Sequence, residues 1–200
     1  TGAEYADIKI GDTVVVMGIG PIGLMAVEGA RHLGAARIIA VGSRPVCVKL
    51  AREFGASEVS SYRDGDVVQQ VLEKTGGVGA DSVILCGGGD EVFTQAVDMV
   101  RYGTGTISNV NYYGGTGCLG FPKFSGGRVL AGKTIHTELA KGGRARIERL
   151  LAMVKYGRID PQKLVTHHLY GLDKVEDALY MMKEKADDLV KVMVKIDWKD

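Results

Sequence analysis

The chain has 200 residues, 46% of them hydrophobic, and its 25 basic and 24 acidic side chains leave a formal charge of +1. A chain of this size and composition can bury a core without disulfides or metals, and it shows no sign of disorder. The basic residues are spread without a run, which argues against a nucleic-acid partner. No stretch of 18 apolar residues and no signal peptide is present, so a membrane partner and secretion are both disfavoured.

The cysteines indicate a reducing compartment. Cys47, Cys86 and Cys118 are odd in number and share no CxxC spacing, which is unlike a disulfide framework or a zinc knuckle. We therefore expect a cytoplasmic protein. Because the chain has no initiator Met and reaches its first strand by about Thr13, we also expect it to be part of a longer protein.

The first 139 residues repeat a short apolar run, a glycine-marked turn and a helical stretch, which is typical of parallel βαβ units. This pattern predicts an α/β fold, a Rossmann doubly wound parallel sheet of six strands. The predicted strands cover residues 13–17, 37–41, 58–60, 82–86, 105–110 and 134–136, and the predicted helices cover residues 22–33, 45–54, 66–75 and 91–100. Residues 111–128, rich in Gly and Tyr, are predicted to form a functional loop.

A different pattern begins at about residue 140. Apolar residues recur with helical spacing over 147–154 and again over 175–182, and strands are predicted over 164–170 and 189–196. We therefore divide the chain into a Rossmann domain, residues 1–139, and a C-terminal α/β extension, residues 140–200.

A GxGxxG motif, Gly18-Ile19-Gly20-Pro21-Ile22-Gly23, follows the first strand directly and opens the first long helix. In this context Gly18 permits a tight turn, Gly20 lets a pyrophosphate approach the backbone, and Gly23 allows close helix packing. A flexible turn is the alternative interpretation. The strand and helix on either side favour dinucleotide binding.

The residues after the second strand indicate which dinucleotide. An NAD-binding protein places Asp or Glu there to bind the ribose 2′-hydroxyl, whereas this chain has Gly42-Ser43-Arg44. Gly42 leaves room, Ser43 can donate a hydrogen bond and Arg44 can pair with a 2′-phosphate, so the pattern favours NADP. The alternative is that Ser43 and Arg44 only begin the next helix at the surface. Tyr62, after the third strand, is placed to flank the adenosine end.

No catalytic residue is predicted in this chain. His32, His136, His167 and His168 lack the spacing of metal ligands, and Cys86 has no evident activating partner, which favours a small buried hydrophobe over a nucleophile. No metal site is therefore predicted either.

Four stretches together resemble the NADP-dependent secondary alcohol dehydrogenases of the zinc-containing medium-chain family: GIGPIG, VGSRP, ISNVNYYG and LVTHHLYGLDKVEDALYMMKEKADDLVK. The resemblance covers the chain from about Gly2 to Ile196. It implies a subunit in which a Rossmann domain is inserted between an N-terminal catalytic part and a C-terminal segment that returns to it. We then expect residues 140–200 to pack on that absent part and to leave apolar stripes uncovered here.

The resemblance also implies a set of cofactor-binding residues. Residues 18 and 20–23 would contact the pyrophosphate, and Ser43, Arg44 and Tyr62 would form the 2′-phosphate pocket. Asn111 and Tyr112 match positions near the nicotinamide, and Lys185 matches a basic residue that reaches the cofactor, although a solvated surface charge is the alternative for Lys185. The full set contains Gly18, Gly20, Pro21, Ile22, Gly23, Ser43, Arg44, Tyr62, Asn111, Tyr112 and Lys185.

The chemistry that the resemblance implies is hydride transfer between a small secondary alcohol or ketone and NADP(H). The catalytic zinc would act as a Lewis acid on the alcohol oxygen. Its ligands are expected in the full-length enzyme and not in this chain, which we therefore expect to be inactive alone. A homo-oligomer, a tetramer by resemblance, is also expected, although residues 114–128, in a part that often forms subunit contacts, depart from the family pattern.

Three alternatives remain open at this point. A zinc-free quinone reductase of the same superfamily shares the Rossmann half and the NADP preference, and a non-catalytic NADP-sensing module would also fit. A methyltransferase ranks last, because Ser43 and Arg44 replace the acid that would bind the ribose hydroxyls of its cofactor.

Overall fold

The computed structural model describes residues 1–112 and 129–196. Parallel strands alternate with helices along the first part of the chain, as the sequence predicts. The strands are β1 (Thr13–Met17), β2 (Arg37–Val41), β3 (Glu58–Ser60), β4 (Ser82–Leu85), β5 (Thr106–Asn109), β6 (Thr134–Thr137), β7 (Val165–Tyr170) and β8 (Lys191–Lys195). The helices are α1 (Gly2–Tyr5), α2 (Pro21–His32), α3 (Pro45–Glu53), α4 (Val67–Lys74), α5 (Glu91–Met99), α6 (Arg144–Lys155) and α7 (Val175–Glu184).

Six strands form one sheet in the order β3-β2-β1-β4-β5-β6, and every pair in it is parallel. The order reverses between β1 and β4, which is the topological switch point of a doubly wound sheet. The predicted fold class is confirmed, and each predicted element of residues 1–110 lies within two residues of its observed position. The short helix α1 was not predicted.

The central strand β1 is buried on both faces, and its side chains divide between two cores. Val14 and Val16 pack with α2 and α3, whereas Val15 and Met17 pack with α4 and α5. All four side chains are fully buried. This burial explains why β1 is continuously apolar instead of alternating.

The extension begins with α6 and ends with a separate two-stranded sheet in which β7 pairs with β8 in parallel. Helix α7 connects these two strands. An α/β extension is therefore present, as the sequence predicts. Within the described ranges, no helix is long and apolar enough to cross a membrane. Residues 113–128 of the predicted loop 111–128, including Cys118, lie outside the described residues.

The apolar stripes of the extension are partly uncovered. Ile147 and Leu151 of α6 are 55% and 58% exposed, and Leu179 of α7 is 67% exposed, whereas Ala178 is buried. Leucine and isoleucine at helical spacing normally face a core. Their exposure agrees with the expectation that these stripes are not covered within this chain.

Helix α6 is tied to helix α1 by a bidentate ion pair. Arg146 Nη1 and Nη2 donate to Glu4 Oε1 and Oε2 at 2.9 and 2.7 Å. Hydrogen bonding to the Arg146 guanidinium lowers the pKa of Glu4 from 4.5 to about 2. The pair joins the start of the described chain to the extension, 142 residues apart.

We expect Glu4→Gln to lower the free energy of unfolding by about 0.5–1 kcal/mol at pH 7, a value kept small because the pair is partly exposed to solvent. A carboxylate whose pKa is lowered in the folded state adds stability above its unfolded pKa, and this stability disappears as the pH falls from 4.5 towards 2. Urea unfolding of both proteins at several pH values measures the difference.

Glu148→Gln is the matched control, because Glu148 pairs with Arg144 within α6 and joins no distant segments. Its effect should be smaller than that of Glu4→Gln. A difference between wild type and Glu4→Gln that stays constant from pH 7 to pH 3 would contradict the role of the ion pair.

Candidate cofactor groove

A groove of about 460 Å³ opens at the carboxyl ends of β1, β2 and β4. This is the edge where parallel strands of a doubly wound sheet bind ligands, at the switch point between β1 and β4. The groove runs from the glycine turn after β1 to the third strand and the extension. It therefore contains walls from both parts of the chain.

The glycine turn is held by close backbone contacts. Gly18 has φ +84°, and a Cβ there would come within 2.7 Å of the Gly87 backbone nitrogen. A Cβ on Gly23 would overlap the carbonyl oxygen of Gly18. The first and third glycines therefore permit the turn itself, and only glycine fits at these two positions.

Gly20 differs from the other two glycines because its exposed side faces the groove. The nearest atom to a Cβ at Gly20 would be Arg44 Nη2, at 3.9 Å. Gly20 is also the N-cap of α2, and Pro21 begins that helix. The first backbone N–H groups of a helix have no partner within it, so this turn can cradle a phosphate.

Arg44 lies across the groove from Gly20. Its Nη1 donates to the carbonyl oxygen of Leu189 at 2.5 Å, which fixes the guanidinium beside the extension. Arg44 is also the N-cap of α3, as the sequence predicts for the residue that begins the helix after β2. The guanidinium nevertheless lies in the groove, so the interpretation of Arg44 as a mere surface residue is not supported.

Ser43 lines the groove next to Arg44 and is half-buried.

The role of Gly42 differs from the one that the sequence suggested. A Cβ on Gly42 would overlap Ile19, so the space beside this glycine is filled by a neighbouring side chain. Gly42 allows Ile19 to pack against the end of β2.

Tyr62 and Glu91 lie at the outer part of the groove. Tyr62 begins a short 3-10 turn after β3, and Glu91 is the first residue of α5 after β4. Burial raises the pKa of Tyr62, and the negative charge of Glu91 raises it further. Both side chains line the groove.

Lys185 lies at the end of α7 and lines the groove. Its backbone is left-handed, with φ +53° and ψ +52°, a conformation that costs a non-glycine residue about 1 kcal/mol or more. The same part of the extension brings Met182, Leu189 and Val190 to the groove. The predicted basic residue thus lies on the same groove as Arg44.

Four of the predicted cofactor-binding residues are not among the residues that line the groove. Ile22 is exposed and Gly23 is buried, and neither lines the groove. Asn111 lies beside the groove, where its Nδ2 donates to the carbonyl oxygen of Gly88 at 3.2 Å. Tyr112 is 87% exposed. The predicted roles of these four residues in cofactor binding stay predictions.

Two cysteines border the groove. Burial raises the pKa of Cys47, and it raises the pKa of Cys86 to about 12. A thiol with such a high pKa is a poor nucleophile at neutral pH, in agreement with a packing role. Among residues 1–112 and 129–196, no three His, Cys, Asp or Glu side chains are grouped to hold a metal ion.

The sequence pattern did not single out several residues of the groove. Glu91 begins the helix after β4, so the expectation that strand ends meet at one edge would have found it. Met182, Leu189 and Val190 carry no such signal, because only the return of the extension brings them to this edge. The groove-lining residues outside the predicted cofactor-binding set are Ile19, Val41, Gly42, Cys47, Cys86, Gly87, Gly88, Glu91, Met182, Leu189 and Val190.

The strand order and the glycine turn define a Rossmann domain, the class of fold that binds dinucleotides at this edge. Residues 21–154 match the family described as zinc-binding dehydrogenase. The chain belongs to this zinc-binding dehydrogenase family, and the resemblance found in the sequence is confirmed.

Similar proteins agree with this family. The chain is 49% identical over 199 residues to an NADP-dependent isopropanol dehydrogenase of Entamoeba histolytica, and covers 54% of that protein. The chain is also 50% identical over 193 residues to an NADP-dependent isopropanol dehydrogenase of Clostridium beijerinckii. That match covers 96% of this chain and 55% of the Clostridium protein. The chain thus spans about half the length of these relatives.

Solved structures show the same fold. The alcohol dehydrogenase TADH from Thermus sp. ATN1 matches with a TM-score of 0.85 and 28% identity, over 98% of this chain and 55% of that one. A zinc-dependent alcohol dehydrogenase from Streptococcus pneumonia matches with a TM-score of 0.86 and 25% identity. This match covers 100% of this chain and 57% of the Streptococcus chain.

The glycine geometry predicts opposite outcomes for two alanine substitutions. Gly23→Ala should lower the free energy of unfolding by about 2 kcal/mol or more, because its methyl group overlaps backbone that cannot move independently. Gly20→Ala should change stability by less than about 1 kcal/mol, since its methyl group meets open space. Chemical unfolding of each variant measures both effects.

The two variants also separate folding from binding. Gly20→Ala should stay folded and yet bind NADPH at least about tenfold more weakly, because the methyl group stands where a phosphate would approach the backbone. Equal NADPH affinity of Gly20→Ala and wild type would show that no phosphate approaches Gly20.

Proposed function

We propose that this chain is the NADP(H)-binding portion of a zinc-dependent alcohol dehydrogenase that transfers hydride between a small secondary alcohol or ketone and NADP(H). The observation that carries the proposal is the pair Ser43 and Arg44 on the groove at the end of β2, where an NAD-binding domain has a carboxylate. The names of the relatives, NADP-dependent isopropanol dehydrogenases, support the cofactor and the substrate class.

The residues of the groove fit NADP(H) in order along its length. We assign the pyrophosphate to the turn at Gly18, Gly20 and Pro21, with the first turn of α2 that contains Ile22 and Gly23. The 2′-phosphate belongs between Ser43, Arg44 and Lys185, because a guanidinium and an ammonium there can both pair with it. The open space at Gly20 is the cradle that a side chain would fill.

The two ends of the dinucleotide are assigned to opposite sides of the groove. The adenosine end belongs beside Tyr62, after β3. The nicotinamide end belongs beside Asn111 and Tyr112, which follow β5. Asn111 is held by Gly88 at the groove wall, so its position depends on the loop after β4.

NADP(H) held by the groove would supply the nicotinamide for hydride transfer, and a zinc ion held elsewhere in the whole enzyme would supply a Lewis acid for the alcohol oxygen. We place the zinc ligands outside these 200 residues. The residues of this chain bind and orient the cofactor. A zinc-free quinone reductase and a non-catalytic NADP sensor are the other candidates, and the relatives' names favour the alcohol dehydrogenase over both.

We propose that residues 1–139 form the cofactor domain and that residues 140–200 pack on a catalytic part outside this chain. The exposed side chains of Ile147, Leu151 and Leu179 support this division, because they provide an apolar surface for that contact. We further propose a cytoplasmic homo-oligomer, with a tetramer as the family expectation.

Ser43→Asp should reverse the cofactor preference. We expect the affinity for NADPH to fall by about 10- to 100-fold, because a carboxylate would repel the 2′-phosphate and remove a hydrogen-bond donor. The affinity for NADH should stay equal or rise, since the new carboxylate can accept from a ribose 2′-hydroxyl. Calorimetric titration with NADPH and NADH measures both.

Gln69→Glu is the control for net charge. Gln69 is exposed on α4 and outside the groove, and its substitution adds the same single negative charge. Its cofactor preference should equal that of wild type. Equal affinities of the wild-type chain for NADPH and NADH would contradict the proposed role of Ser43 and Arg44.

The 200-residue chain should bind NADPH and yet leave 2-propanol unoxidised, even when zinc is added, because the proposed metal ligands are elsewhere. Absorbance at the NADPH band in the presence of NADP and 2-propanol measures turnover, and calorimetry confirms that the cofactor is bound. Sustained NADPH production by this chain would place the catalytic residues within it.

A further inference from the structure

The groove proposed for a cofactor with several phosphate charges also contains an acid. Glu91 lines the same groove as the basic residues Arg44 and Lys185. A carboxylate repels phosphate, so an acid facing the pyrophosphate or the 2′-phosphate would weaken binding. We therefore expect Glu91 to face a part of the ligand other than its phosphate groups.

The surroundings of Glu91 place it at the adenosine end. Glu91 begins α5, the helix that follows β4, and Tyr62 follows β3. Tyr62 is the groove residue that we assign to the adenosine end. Glu91 and Tyr62 thus approach this end from two sides, and both line the groove.

The carboxylate of Glu91 is turned back over the loop after β4. Its Oε2 lies so close to Gly89 that a Cβ on Gly89 would overlap it. Gly89 thereby lets the Glu91 side chain fold against the loop that also supplies Gly87 and Gly88 to the groove wall. This arrangement places an acceptor-only group beside the wall of the groove.

The chemistry of adenosine leaves one suitable partner for this acceptor. The ring nitrogens at the edge of adenine are acceptors, and its 6-amino group is the donor. The 3′-hydroxyl of the ribose lies beside the 2′-phosphate, where a carboxylate would be repelled. An ionised acid at the Tyr62 end therefore fits the 6-amino group.

We propose that Glu91 selects the base of the cofactor, by accepting a hydrogen bond from the 6-amino group of adenine. This inference rests on the proposed NADP(H)-binding function. A purine with a 6-oxo group presents a lone pair at the same position, so the carboxylate repels it. Glu91 is thus a specificity-determining residue, separate from Ser43 and Arg44, which select the 2′-phosphate.

The test compares NADPH with its hypoxanthine counterpart, which has a 6-oxo group and a protonated ring nitrogen N1 where adenine has a 6-amino group and an unprotonated N1. By calorimetric titration, the wild-type chain should bind NADPH about tenfold or more tightly than this counterpart. In Glu91→Gln the amide can accept from an amino group or donate to an oxo group, so the ratio of affinities should fall to about one.

Asp90→Asn is the matched control, because Asp90 precedes Glu91, carries the same charge and does not line the groove. It should keep the wild-type ratio. Glu91→Ala should lower the ratio in the same direction as Glu91→Gln, and thermal melting of each variant confirms that it is folded.

The outcomes separate this inference from the proposed function. If the wild-type chain binds neither dinucleotide, the NADP(H)-binding function itself is wrong. If it binds both with equal affinity, or if wild type and Glu91→Gln show the same ratio, the dinucleotide site stands and the assignment of Glu91 is overturned. If one of the two Glu91 variants fails to fold, the ratio of the other decides the matter.

Discussion

The close approach of backbone segments around Gly18 is the constraint on which the groove depends. The end of β1 meets Gly87 after β4, and the start of α2 returns over the same turn, so that Gly23 contacts the Gly18 carbonyl. Side chains at Gly18 or Gly23 would push these segments apart. Because neither glycine has a side chain, the N-terminus of α2 faces the groove, and the backbone of Gly20 is open to a ligand.

The second determinant is the return of the extension to the sheet. The carbonyl oxygen of Leu189 accepts a hydrogen bond from the Arg44 guanidinium, and the carbonyl oxygen of Asp187 accepts one from the backbone N–H of Val46. The Asp187 carboxylate also forms an ion pair with Arg63. These contacts fix the basic end of the groove from the far end of the chain. The same extension exposes apolar residues on its other surfaces. We propose that the extension links the cofactor groove to the catalytic part of the whole enzyme.

Much of the fold and part of the groove were predictable from the sequence, because they depend on local patterns of residues. Continuous apolar runs such as 13–17 indicate strands buried on both faces, and the glycines at fixed spacing between strand and helix indicate the turn. Ser43 and Arg44 were found because topology places the end of β2 at the ligand edge. Gly42 was misjudged, because its neighbour Ile19 is a tertiary contact. Glu91 was missed, although its place after β4 was a usable signal.

The sequence by itself determined the elements, their parallel order and the absence of an acid after β2, since these depend on periodicity and on residues adjacent along the chain. Only the tertiary structure decided which distant residues meet. The contact of Arg44 with Leu189 spans 145 residues, and no local pattern specifies it. The presence of Tyr62, Glu91 and Lys185 on one groove likewise follows from packing. A site at the edge of a sheet is assembled from loops far apart in sequence, so its chemistry appears only when the strands are side by side.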